Sequence, residues 1–163
     1  GCSSDWIFVT SNIMMKLKDK MNISADRLIT IVNELVLPLS RDLAHPLGVG
    51  LLDSFLKDFN TPAQRDILWS NPGFLRGSYN KKWYQSYTLK LDDEQYRLSE
   101  DDTYQGLPTV YAWTLSSVNN SFRKNSRNEL MRWALSTPRE FYKLFLSFSN
   151  VNDPQIISDL FAV

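Results

Sequence analysis

Apolar side chains return along this chain with the period of a helix. Leu28, Ile31, Val32, Leu35 and Val36 fall on one stripe, with Asp26, Thr30, Asn33 and Glu34 largely opposite and Ser24 placed to cap. Phe141, Leu144, Phe145 and Phe148 repeat at the same spacing, leaving Arg139, Glu140, Lys143 and Ser147 to water. Phe122, Ser126, Leu130 and Trp133 form the stripe of the preceding helix. Strict apolar–polar alternation between Gly-rich turns is missing, so a sheet has no source. The pattern predicts helices over residues 4–20, 25–37, 46–58, 62–70, 79–91, 107–118, 121–136, 138–148 and 154–163.

Start signals reinforce the period. Thr61-Pro62-Ala63-Gln64 and Thr137-Pro138-Arg139-Glu140 each place a hydroxyl at the cap, a proline at the first helical position and a capping-box acceptor at the third. Asp153-Pro154 offers a carboxylate cap, while His45-Pro46 and Leu107-Pro108 keep only the proline. Connections this short force neighbouring helices antiparallel. The expected fold is all-α: helical hairpins stacked as a HEAT/armadillo-like array, or alternatively a compact irregular bundle, in one domain over residues 1–163. Two segments interrupt the pattern. Asn71 to Ser78 reads as a turn-rich loop, and residues 91–106, with Asp92, Asp93, Glu94, Glu100, Asp101 and Asp102, as a flexible acidic loop.

Composition narrows the function classes. With 163 residues and 43% apolar side chains the chain can bury a continuous core. Lys plus Arg and Asp plus Glu number 18 each, so no net field draws in nucleic acid or an anionic membrane. The single Cys2 cannot pair or form a thiolate metal site, which fits a reduced, cytoplasmic setting. The longest apolar stretches fall far short of the roughly 20 residues a membrane span requires. Residues 1–12 do not read as a signal peptide. The apolar run Ile156, Ile157, Leu160, Phe161 and Val163 stops without a C-terminal cap, which suggests a helix cut from a longer polypeptide.

Candidate chemistry is sparse. A triad would have to use the lone His45, which stands before Pro46 at a helix start with no nucleophile elbow in the sequence. The paired acids Asp92, Asp93, Asp101 and Asp102 suit solvation better than hydrolysis. A phosphate-binding loop is absent, and neither enzymatic activity nor a cofactor or metal is expected of this chain. Arg76, Lys81, Lys82, Trp83, Tyr84, Tyr87 and Lys90 interleave cations with aromatics, but Tyr79, Trp83 and Tyr87 at i, i+4 and i+8 read as a buried stripe. Arg123, Lys124, Arg127 and Arg132 lie opposite their helix's apolar stripe with Glu129 as the nearby acid. That basic face is the candidate site for an anionic or acidic partner, nucleic acid being the disfavoured alternative to protein.

Three passages together resemble the helical-repeat region of bacterial STAND-type (NACHT-like) NTPases, including members implicated in anti-phage defence. They are His45-Pro46-Leu47 followed by Arg65-Asp66-Ile67-Leu68-Trp69-Ser70, then Ala112-Trp113-Thr114-Leu115 with Asn119, Asn120 and Arg123, and last Asn152-Asp153-Pro154. Order and rough spacing agree over about residues 45–163. Lys124 stands where the pattern has aspartate, and Ser158-Asp159 replaces a Glu-Arg pair. The resemblance implies a scaffold that recognises a protein partner or relays recognition to an NTPase core encoded elsewhere in the polypeptide. It makes Arg65, Asp66, Trp69, Trp113, Asn120 and Asp153 repeat-framework residues, joining Trp133 of the apolar stripe.

Overall fold

The computed structural model describes residues 25–58, 61–69 and 89–163. Those residues are all-α: helices α1 (Ala25–Ile31), α2 (Val49–Lys57), α3 (Pro62–Trp69), α4 (Leu107–Thr114), α5 (Asn120–Ser136), α6 (Pro138–Phe148) and α7 (Pro154–Phe161), with no strand among the described residues. The helix expected at 4–20, nearly all of that expected at 79–91, the loop at 71–78, Cys2, Ser24 and the aromatic stripe Tyr79, Trp83 and Tyr87 lie outside them.

Helix α4 is the axis. Every residue from Leu107 to Thr114 is buried, as a helix must be when it is apolar all round and covered on several sides. Helices α2, α5 and α7 pack on it, α6 packs on both α5 and α7, and α1 packs on α3. Trp113, Leu115, Leu130, Trp133, Leu144, Phe148, Ile156 and Leu160 fill the space between, each burial contributing about 1.5–3 kcal/mol or more for the aromatics. Helix α4 ends earlier than its apolar pattern predicts. The amides of Leu115, Ser116 and Ser117 bond three residues back, and the Ser116 hydroxyl donates to the Trp113 carbonyl, tightening the turn.

Other departures have local causes. A π-helical turn, Val32–Val36, follows α1, with the Leu37 amide donating to the Val32 carbonyl at 2.8 Å. Its extra residue rotates the face, so Asn33, expected opposite the stripe, is buried. Gly48, not the residue before Pro46, precedes α2, while the Leu47 amide donates to Nδ1 of His45 at 3.2 Å. Thr137 was expected to cap α6. Its hydroxyl instead donates back to the Trp133 carbonyl at 2.7 Å, because one residue joins α5 to α6 and must close the first helix. Asp153 does cap α7, accepting from the Gln155 and Ile156 amides.

Residues 91–106, the acidic segment, follow a 3-10 turn over Lys90–Asp92 with another over Glu94–Tyr96, and bury Leu91, Tyr96, Leu98 and Asp102. Side chains from the π-helical turn, from Arg41 and from α4, α5 and α6 hold its backbone. The Lys90 amide donates to Asn33 Oδ1 at 2.8 Å, and the Tyr111 hydroxyl points at the carbonyls of Leu91 and Tyr96. Arg41 donates to the carbonyls of Gln95 and Arg97 and through Nε to Asp102 Oδ1 at 2.9 Å. The Leu98 amide donates to Glu129 at 2.8 Å, Arg132 donates to the Leu98 carbonyl, and the Tyr104 amide donates to Glu140 at 3.0 Å. Exposed acids thus ride on a segment whose polar backbone is satisfied from inside.

Candidate functional site

The basic face predicted on α5 is divided by the fold. Arg123 Nε lies 3.5 Å and Arg127 Nη1 3.1 Å from the Asp159 carboxylate of α7, which Gln155 also reaches at 2.9 Å. Arg123 donates further to the Ser117 carbonyl at 2.8 Å and to Asn120 Oδ1. Arg132 faces the other way, toward Glu129 and Leu98. Of the four candidates Lys124 and Arg132 stay exposed, while the acid that Arg123 and Arg127 lack in the local sequence is supplied by a helix more than thirty residues on.

Three of the residues singled out as framework, Arg65, Trp113 and Asp153, meet at one buried node with Asp66 close by. Arg65, 1% exposed, donates to the Leu56 carbonyl at 2.8 Å and to Asn152 Oδ1 at 2.5 Å, and its Nη1 lies 3.6 Å from Asp153 Oδ2. Its guanidinium also lies 5.4 Å from the centre of the Trp113 ring, and the Trp113 indole donates to Asp53 at 2.9 Å. Burial pulls the Arg65 pKa below its ordinary value against the opposing pull of Asp153. Asp66 is driven upward, first by burial and then by the nearby charge of Asp153. This node ties α3, α4 and α7 together, with desolvation and pairing in opposition. Trp133 is separate, fully buried with its indole nitrogen unpartnered, Asn120 begins α5, and the Trp69 side chain lies outside the described residues.

Two depressions are polar. A cavity of about 350 Å³ opens beside the Arg41–Asp102 pair, walled by Ser40, Ser99, Asp101 and Thr103. A shallow groove of about 550 Å³ runs between Asp92, Glu94 and Arg97 on one side and Asn125, Asn128 and Arg132 on the other. In the first, Asp102 is committed to Arg41 and Ser99. His45 does not line either depression; half-buried, it accepts the Leu47 amide. Among the described residues no group of three or more His, Cys, Asp or Glu side chains is placed to hold a metal ion, and no helix is long and apolar enough to cross a membrane.

The surface feature that the helical stripes did not reveal is apolar. Leu135 on α5 is 82% exposed, Tyr142 and Leu146 on α6 are 61% and 48% exposed, and Phe161 on α7 is 74% exposed. Phe161 is anchored edge-on against Phe145 with ring centres 4.9 Å apart. A second count along α6 would have found the pair: Tyr142 and Leu146 sit at i and i+4 on the face opposite the buried Leu144 and Phe148. No protein-family model, no curated protein and no solved structure matches the chain.

Proposed function

We propose that this chain is a non-catalytic helical scaffold that recognises a protein partner, built from antiparallel helical hairpins stacked in the manner of HEAT/armadillo arrays. The observation that carries this reading is the set of large apolar side chains left exposed on three consecutive helices: Leu135, Tyr142, Leu146 and Phe161. Large apolar side chains this exposed on neighbouring elements have the composition of an interface centre, where aromatic anchors contribute most. The polar depressions, by contrast, have their main charges committed to neighbouring backbone and side chains. The resemblance of residues 45–163 to STAND-type repeat regions supports a narrower version, in which the scaffold serves as the sensor part of a larger NTPase.

Site-specific photo-crosslinking tests it. With the photoreactive residue at Tyr142, one discrete protein adduct is expected in cells expressing the chain, and Leu146→Asp should remove it. Adducts of equal yield from Glu100 on the acidic segment, or none from Tyr142, would sink the proposal.

A further inference from the structure

The chain is neutral as a whole, but its charges are not spread evenly over its surface. Residues 119–163 carry six bases, Arg123, Lys124, Arg127, Arg132, Arg139 and Lys143, against four acids. All four acids are turned inward. Glu129 accepts the Leu98 amide, Glu140 accepts the Tyr104 amide, Asp153 caps α7 beside Arg65, and Asp159 holds Arg123 and Arg127. The most exposed charges on α5 and α6 are therefore cationic: Lys124 and Arg139, together with Arg132, which pairs with Glu129, and Lys143, which pairs with Glu140.

Two of these flank the apolar row. Arg139, Tyr142, Lys143 and Leu146 follow one another at i, i+3, i+4 and i+7, a single exposed stripe about 10 Å long at 1.5 Å per residue. Glu140, the acid within that span, is half-buried and engaged by Tyr104 and Lys143. Phe161 extends the apolar area beside it through its contact with Phe145.

We infer that this stripe docks an acidic amphipathic helix. The inference rests on the protein-recognition reading and names the partner's chemistry: apolar side chains at helical spacing laid over Tyr142, Leu146 and Phe161, with Asp or Glu beside them facing Arg139 and Lys143. A helix laid along α6 presents its own i, i+3, i+4 and i+7 positions to this row. Complementary charge sets partner choice and association rate, while the aromatic and leucine contacts hold the complex.

The test uses fluorescent helical peptides of about 20 residues, long enough to hold a helix, with one leucine face flanked by glutamate, by lysine or by glutamine. Anisotropy titrations against the whole chain should show saturable binding strongest for the glutamate-flanked probe and weakening as salt rises from about 50 to 300 mM. Tyr142→Ala and Leu146→Ala should each weaken it about tenfold. Arg139→Glu with Lys143→Glu should shift the preference to the lysine-flanked probe, and Glu100→Gln should leave binding unchanged. These side chains are exposed, so circular dichroism should show every variant folded.

Equal binding of all three probes, lost in Leu146→Ala, would overturn the acidic partner while leaving protein recognition standing. Binding of an oligonucleotide or of anionic vesicles through Arg139 and Lys143, with no peptide binding, would overturn the inference. So would a dimer of the chain in sedimentation that Leu146→Asp dissolves. Failure of every probe overturns it too, and crosslinking from Tyr142 then decides separately whether the parent reading survives.

Discussion

Helices α5 to α7 reach the core through apolar side chains at helical spacing, Leu130 and Trp133, then Leu144 and Phe148, then Ile156 and Leu160. Residues 89–106 reach the same core with Leu89, Leu91, Tyr96 and Leu98, and leave the rest of their attachment to Asn33, Arg41, Tyr111, Glu129, Arg132 and Glu140 gripping their backbone. Their charge is reversed as well, six acids against two bases in 89–106 and six bases against four acids in 119–163. Burial of apolar area depends on the periodicity of one helix and tolerates small shifts. Side-chain-to-backbone hydrogen bonds need particular partners at particular distances, and each buried donor or acceptor left unpaired costs about 1–3 kcal/mol. One region is therefore held by pattern, the other by individual contacts.

If that contrast is right, the largest effect comes from the packed side. Trp113→Ala removes a fully buried ring that meets Phe148 edge-on at 5.0 Å and lies beside Arg65, and should cost about 3–5 kcal/mol. A shift in the urea midpoint worth under 1 kcal/mol, on the order of a surface change, would break the comparison.

Arg41→Ala comes next. It frees the carbonyls of Gln95 and Arg97 and leaves buried Asp102 with Ser99, so a cost of about 1–3 kcal/mol is expected. Amide exchange should accelerate over 95–102 with α5 to α7 still protected. Equal acceleration in both regions would show that they unfold as one unit.

The smallest effect is acidic loosening. Glu129 and Glu140 both lie below the ordinary 4.5. At Glu129 burial, the largest influence, pushes upward, and the Arg132 and Leu98 hydrogen bonds together overcome it; at Glu140 the Lys143 hydrogen bond leads, followed by Tyr104. A carboxylate whose pKa is depressed by folding contributes stability that is present above its unfolded value and lost as pH falls through its folded one. Protection of the Leu98 and Tyr104 amides should thus decline below about pH 4.5. Asp66 acts in the opposite sense: held above its ordinary 3.8, its contribution is present below that value and lost as pH rises through the folded pKa. Reading the two amides separately, with Glu129→Gln as control, distinguishes local release from global acid unfolding. Protection of both amides that stays unchanged through this range would refute the hold of Glu129 and Glu140 on this backbone.

Helix type and most helix starts could be read from the residues, because period and capping are local. Leu130, Trp133, Leu144 and Phe148 are buried as their spacing predicts, and Asp153 caps as its place before Pro154 predicts. Thr137 shows where local signals lose: its hydroxyl had two backbone groups in reach, and the one-residue link decided between them. Of the candidate basic face, the four cations and their helix were legible, but the neutralisation of Arg123 and Arg127 was not. Asp159 stands 32 residues from Arg127, and no local rule relates them.

By itself the sequence determined that the described residues are helical, where most of their helices begin and which faces most of them bury, since i, i+3 and i+4 neighbours are set by the backbone's own geometry. Tertiary structure alone decided that the acidic segment is anchored, that α4 is enclosed on every side, that Arg123 and Arg127 are spent on Asp159, and that Tyr142, Leu146 and Phe161 face outward beside Arg139 and Lys143. These depend on which distant side chains meet, and charge or exposure is a property of that meeting rather than of any residue alone.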